Sequence, residues 1–341
     1  MSQATERAFV YVANAESREL LVLELNLASG ELTHVAALIG GRFTTLASSP
    51  DRGFMFAGLR DAPFAIVSFA IDSARGMLHE RGETRVPGPL AYLTTDRTGR
   101  WLLSASYHGD FVAVSAIDAN GRVQEPHQVI GSLSKAHAIV AAPSNDAVIA
   151  TSLGSDRLLA WRFDATTGRL QEQDGAQYEV DAGAGPRHLR FDPQGGRFYV
   201  ICELDGSIRT FDFDAATLRM EQRAVASVVP KGFRGKRWAA ELQLTPDGKF
   251  LYASERSSST IAGFAVSPQK GIETFGSVPT ERQPRSFAVD PSGRFLLVVG
   301  EKSNRLSVYA IARGGSLTKL HDAPVGAVPC WIEVLPASGE T

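Results

Sequence analysis

One turn pattern recurs along the whole chain and limits what it can fold into. Short strand-like segments run into a turn at Pro50, Asp96, Pro143, Pro193, Pro246, Pro291 and Pro336, reading FTTLASSP, LAYLTTD, AHAIVAAP, PRHLRFDP, AELQLTP, PRSFAVDP and PCWIEVLP. Successive anchors lie 46, 47, 50, 53, 45 and 45 residues apart. Each of the first six leads into a turn such as PDR, PQGG, PDGK or PSGR, then into an apolar strand such as FMFAG, WLLSAS, RFYVI, FLYAS or FLLVV. A third strand follows, as in FVAVSAID, LLAWRFD and IAGFAVS, and a fourth, weaker one precedes the next copy.

Four strands repeated about every 40 to 50 residues are the signature of a propeller blade, which buries its faces only against its neighbours. The anchors therefore predict an all-β chain, a seven-bladed β-propeller formed as a single domain by residues 1–341. The kelch and WD dipeptide signatures are missing, and a pair of β-sandwiches would not produce so regular a spacing. The two ends fit together. Ala8–Asn14 (AFVYVAN) begins with a second-strand pattern and has no first strand, whereas the segment after Pro324 supplies only a first strand, PCWIEVLP. One blade is thus expected to combine Cys330–Leu335 as its innermost strand with residues 8–40 as the other three, which closes the ring and removes its open sheet edges.

A formal charge of -2 gives no electrostatic footprint for a nucleic-acid or membrane-surface role of the whole molecule, so any anion site must be local. The first residues hold no apolar core behind a basic start and no apolar run is long enough to span a membrane, so the chain is expected in the cytoplasm. Cys202 and Cys330 are the only cysteines, too few for a disulfide framework, and no Cys/His pair has zinc-ligand spacing. No phosphate-cradling glycine loop, nucleophile elbow or dinucleotide fingerprint is present. Neither a metal nor a cofactor is expected, and chemistry must run on His, Glu and Arg.

Alignment of the anchors compares each inner-strand position across blades. Six residues before the anchor stand Thr44, Leu90, His137, Arg187, Ala240, Arg285 and Cys330. Positions four and two before it are mostly apolar, as in Leu189 and Phe191 or Phe287 and Val289. His137, Arg187 and Arg285 thus begin otherwise core-type strands, where a ring points them toward one mouth of its channel. A single arginine there is an ordinary solvated strand end. Three titratable groups at one repeat position, two of them in PR dipeptides, point to a ligand site. Glu203, Arg256 and Glu301 share an offset from Phe211, Phe264 and Tyr309, so they close second strands at the same end of the ring. A carboxylate beside two arginines is expected to have a lowered pKa, and His137 is the candidate proton shuttle. The loop VPKGFRGKRWAAE (Val229–Glu241) adds Lys231, Arg234, Lys236 and Arg237 as a possible wall for an anionic substrate, with Trp238 beneath it.

The blocks GAGPRHLRFDP, CELDGSIRTF, KRWAAELQLTPDGKFLYASER, RQPRSFAVDPSGRFLLVVGEKSNRLSVY and PVGAVPCWIEV resemble the bacterial propeller-type 6-phosphogluconolactonases, and the resemblance begins at YVANAESRELLVLELN. It implies a seven-bladed lactonase propeller, similar also to fungal carboxymuconate-lactonising enzymes. Matched motif by motif, the family's proposed site falls on His137, Arg187, Glu203 and Arg285. Here the family's NEL is CEL, with Cys202 in place of Asn, and its HS is His137-Ala138. The implied reaction is metal-independent hydrolysis of a sugar δ-lactone. Arg187 or Arg285 would stabilise the oxyanion, and either His137 or Glu203 would act as base. Arg237, Lys302 and His188, or Arg285 itself, would hold the substrate's phosphate. An unphosphorylated acidic lactone such as a muconolactone would use the same residues, with Arg187 and Arg285 on carboxylates. A non-catalytic interaction propeller is the reading of another class.

Overall fold

In a computed structural model describing residues 7–267 and 271–338, the chain forms seven antiparallel sheets, each a twisted blade with its first strand innermost. Blade 1 joins the two ends, in the order Pro329–Pro336, Arg7–Asn14, Glu19–Asn26 and Leu32–Ile39. The register of its closing pair runs from Ala8 opposite Pro336 to Asn14 opposite Pro329, so both termini are held in one ladder. Blades 2 to 7 follow in chain order, with inner strands Phe43–Ser48, Tyr92–Thr95, Ala136–Ala141, Pro186–Phe191, Ala239–Leu244 and Pro284–Val289. Blade 4 departs from the four-strand plan. Its outer strand is broken into Arg169–Gln171 and Gln177–Glu179, both paired with Arg157–Asp164, because the turn around Gly175 interrupts the ladder. Among the described residues the one helical element is the short 3-10 turn Leu153–Ser155, and no helix is long and apolar enough to cross a membrane.

Alternation along each strand sends one set of side chains into the contacts between blades, where apolar burial drives the ring together. Between blades 4 and 5, Leu189, Phe198, Phe211 and Val200 are sealed from water, and Phe198 stacks on Phe211 with centroids 5.0 Å apart and planes 7° apart. The recurring turn has a second packing duty. A Cβ added at Gly195, Gly248 or Gly293 would lie 3.1, 3.2 or 3.3 Å from Pro143, Pro193 or Pro246, so the turns of blades 5, 6 and 7 each rest on the anchor proline of the blade before.

That turn also corrects one anchor. Asp192 N and Asp290 N donate to the carbonyls of Arg197 and Phe295, and both side chains accept backbone N–H bonds from those same residues. Asp96 does the same with Trp101, at 2.9 Å and 3.0 Å. Asp96 is therefore equivalent to the residue before the proline elsewhere, and Arg97 stands where the proline would be. The inner-strand position expected at Leu90 belongs to Ala91.

Candidate active site

The residues six before the anchors owe their position to a β-bulge. In blade 5, Pro186 opposes Cys202 and His188 opposes Ile201, which leaves Arg187 as an extra residue in the ladder. His137 is skipped in the same way between Ala136 and Ala138, Arg285 between Pro284 and Ser286, and Thr44 between Phe43 and Thr45. Cys330 is passed over in blade 1, and the shift in blade 6 spans Ala240 and Glu241. Strict alternation would put Arg187 on the same face as Leu189, in the contact between blades. The bulge re-aims it, so two consecutive residues serve the channel side.

A second ring lies just beyond the second strands. Arg60, Tyr107, Glu203, Arg256 and Glu301 each directly follow the second strand of blades 2, 3, 5, 6 and 7. The two rings meet around a cavity of about 210 Å³ at the channel mouth. Blade 2 contributes Thr44 and Arg60, and blade 3 contributes Ala91, Tyr107 and His108. His137, Glu203, Trp238 with Arg256, and Arg285 complete the wall from blades 4, 5, 6 and 7.

Glu203 is clamped from three sides. Arg187 Nε donates to its Oε2 at 3.0 Å, Arg256 Nη2 lies 2.8 Å from the same oxygen, and Trp238 Nε1 donates to Oε1 at 3.1 Å. Burial alone would raise this carboxyl, but Arg187, Arg256 and the hydrogen bonds outweigh it and hold the pKa below the ordinary value. The cations feel the reverse pressure. Burial brings Arg187 down to about 9, helped by Arg256 and Arg285, and brings Arg256 down to about 10. The Arg256 guanidinium lies 3.9 Å from the centroid of the Trp238 ring, and its Nη2 donates to Ala239 O at 3.0 Å. Arg285 is held more loosely, 3.6 Å from Glu301, with 27% of its side chain exposed.

His137 has a different character. Burial, then the charges of Arg187, His188 and Arg285, push its pKa well below the ordinary value, so it is neutral at pH 7. Its ring meets Tyr107 and His188 edge to face, at 5.7 Å and 5.0 Å, and its Nδ1 has no hydrogen-bond partner. Below it the channel is plugged by a polar network. His188 Nδ1 lies 3.1 Å from Glu241 Oε2, Arg190 reaches Glu241 Oε1 at 3.2 Å and donates to the Tyr92 hydroxyl at 2.6 Å, and Tyr92 and Trp331 pack against His188. Burial raises Glu241 and pushes Glu333, which accepts from Trp331 Nε1, up to about 7. This floor fixes the height at which a ligand can enter.

The expected site residues thus fall into three layers. His137, Glu203 and Arg285 line the cavity, whereas Arg187 and His188, each at most 2% exposed, stand behind it as supports. Arg237 and Lys302 are exposed and lie outside the lining. Arg237 Nη1 is turned to Asp205 O, and Lys231, Arg234 and Lys236 are likewise exposed, so the 229–238 loop delivers Trp238 and not a wall of charge. Arg60, Tyr107 and His108 were not singled out by the inner-strand alignment. Arg60 and Tyr107 share with Glu203 and Arg256 the place directly after a second strand, but the eight-residue offset from a third-strand aromatic does not find them, because the connection after Leu59 is one residue longer and blade 3 has Ser115 where the aromatic would stand. Both cysteines are free, and burial pushes their thiols up to about 12, which leaves them inert. Among the described residues no group of His, Cys, Asp and Glu could hold a metal ion.

A neutral imidazole, a clamped carboxylate and guanidiniums thus converge on one cavity at the mouth of the ring, an arrangement able to bind and polarise a small polar molecule. The chain belongs to the lactonase seven-bladed β-propeller family, whose profile matches residues 7–334. It is 38% identical over 329 residues to the 6-phosphogluconolactonase of Pectobacterium carotovorum, covering 96% of this chain and 98% of that protein. The 6-phosphogluconolactonase of Serratia proteamaculans is 35% identical over 331 residues, 96% and 99% of the two chains. Among solved structures, the periplasmic gluconolactonase PpgL of Pseudomonas aeruginosa superposes with a TM-score of 0.91 at 25% identity, over 97% of this chain and all of that one.

Proposed function

We propose that this protein is a cytoplasmic 6-phosphogluconolactonase, which opens 6-phospho-D-glucono-1,5-lactone to 6-phosphogluconate with the residues of the mouth cavity. The observation that carries the reading is that a neutral His137 and the cations Arg256 and Arg285 face one cavity of sugar size at the mouth of the channel. The curated relatives named for this activity support the substrate.

His137 takes a proton from water as the oxygen attacks the lactone carbonyl. Arg285, the least committed of the cations beside Glu203 and His137, donates to the developing oxyanion together with Arg256, a kind of contribution worth about 3 to 4 kcal/mol. The tetrahedral adduct then collapses. The bond from carbonyl carbon to ring oxygen breaks, and the His137 imidazolium returns its proton to that oxygen. Glu203 is a poor base here because both its oxygens are engaged and its pKa is lowered. Its work is to hold Arg256 and Trp238 in place, with Arg187 as the buried counter-charge.

The test is hydrolysis of the phosphorylated lactone above its spontaneous rate, with a chelator present, by wild type, His137→Asn and Arg285→Ala. His137→Asn is expected to lower kcat by about 10²–10⁴-fold with little change in KM, and Arg285→Ala by about 10²–10³-fold. A wild-type rate no faster than background would defeat the reading. A His137→Asn variant that retains full kcat would remove His137 from the base role.

A further inference from the structure

The cations of the cavity are not equivalent. Arg187 and Arg256 share Glu203, and Arg285 faces Glu301. Arg60 lines the same cavity and has no carboxylate partner among the described residues, although its chain neighbour Asp61 already pairs with Arg18 and Arg42. Its backbone is anchored by a bond from its N–H to Arg42 O, at 3.0 Å, so the base of the side chain is fixed while the guanidinium is uncommitted.

Position around the ring gives this cation a direction. Arg60 belongs to blade 2, and the ring order places blades 5 and 6, which carry Glu203, Trp238 and Arg256, on the far side of the mouth. Between Arg60 and Arg285, blade 1 presents only the small Cys330 at its bulge, and both charges act on that buried thiol. Among the described residues blade 1 contributes nothing to the cavity lining, so on this side the wall passes from Arg285 to Thr44 and Arg60. Thr44 adds a hydroxyl at the bulge of blade 2.

A substrate whose lactone carbonyl sits by His137 and Arg256 has its phosphate several bonds away, and the dianion needs unpaired donors at that distance. We infer that Arg60, with Thr44 beside it, forms the phosphate subsite of this cavity and sets the preference for a phosphorylated over an unphosphorylated sugar lactone. The inference rests on the lactonase reading above. Planar paired donors of an arginine suit a phosphate, whereas Lys302 and Arg237, the other basic residues expected to hold it, lie outside the cavity wall.

The experiment compares wild type with Arg60→Ala, Arg60→Lys and Thr44→Val on 6-phosphoglucono-1,5-lactone and on glucono-1,5-lactone, and measures binding of 6-phosphogluconate by calorimetry. Arg60→Ala is expected to lower the ratio of kcat/KM for the phosphorylated over the unphosphorylated lactone on the order of 100-fold, mostly through KM, since one charge-assisted pair is worth that much. 6-Phosphogluconate should weaken by a similar factor, Arg60→Lys should recover part of it, and Thr44→Val should show a smaller loss in the same direction. Equal losses on both lactones, or unchanged 6-phosphogluconate binding in a folded Arg60→Ala protein, would overturn the subsite while leaving the lactonase reading intact. A wild type that hydrolyses glucono-1,5-lactone as well as its phosphorylated form, and does not bind 6-phosphogluconate, would overturn the phosphorylated substrate and the subsite together.

Discussion

The charge of Arg285 reaches His137 at the cavity mouth, and this coupling has a pH signature. A base must be deprotonated to act, and His137 is held well below the ordinary imidazole value of 6.5 by burial and by Arg187, His188 and Arg285. The acid limb of kcat/KM should therefore lie below pH 6.5 in the wild type. Replacing Arg285 by Gln removes one repelling charge, so the limb should move toward higher pH while kcat falls, a combination that a merely structural defect would not produce. Stability follows the same groups. His137 and His188 both have lowered folded values, so the unfolded chain binds more protons once the pH drops below 6.5. Their contribution is complete above pH 6.5 and is lost as the pH falls from there toward the folded values. Thermal melts between pH 7.5 and 5 check the sign, which His188→Phe should weaken.

At the scale of the strand, the turn before the inner strand of blade 5 carries the site. Gly185 adopts φ +67, donates its N–H to Asp156 Oδ1 at 2.7 Å and accepts from Glu203 N at 2.7 Å. It thereby ties the start of the Arg187 bulge to the backbone of Glu203. A Cβ there would lie 2.7 Å from Leu204 Cγ, and the left-handed backbone adds about 1–2 kcal/mol of strain for any other residue. Gly185→Ala should lower Tm by roughly 2–4 °C and lower kcat/KM as well. A stability loss with unchanged kinetics would show that the turn does not position the site. The same element explains how far sequence reasoning reached. Period, closure and the ring position of His137, Arg187 and Arg285 were legible because turn prolines and alternating apolar residues mark each blade. The bulge was not, since it is a backbone irregularity with no residue of its own. Without it, Arg187 and His188 could not be sorted into a support and a channel plug. The shift at Asp96 was missed for a related reason. Arg97 replaces the proline, and only the hydrogen bonds of Asp96 reveal the true register.

For the whole molecule, closure decides whether the cavity exists at all, because the lining comes from blades 2 through 7 and each is held only by its neighbours. The ring is locked by the ladder between Arg7–Asn14 and Pro329–Pro336, and by Ala337 N bonding Arg7 O at 3.1 Å. The closing strand buries Cys330, Trp331, Ile332, Val334 and Leu335. At about 1.5–3 kcal/mol for each large apolar side chain, removing it forfeits on the order of 10 kcal/mol. That is comparable with the entire stability of a folded domain, about 5–15 kcal/mol. A chain ending at Gly326 should therefore lose cooperative unfolding and lactone hydrolysis together, even though it keeps His137, Glu203, Arg256 and Arg285. Covalent order should matter far less than the ladder. A circular permutant that links Ala337 to Arg7 through a short spacer, and opens instead at the exposed Gly131–Ser132 turn outside the cavity lining, preserves every blade and should melt in one transition with activity retained. Calorimetry and kinetics on the two variants separate the effects. If the truncated chain still melts cooperatively, blade 1 does not lock the ring. If the permutant fails with the ladder intact, chain order contributes more than the register of blade 1 indicates.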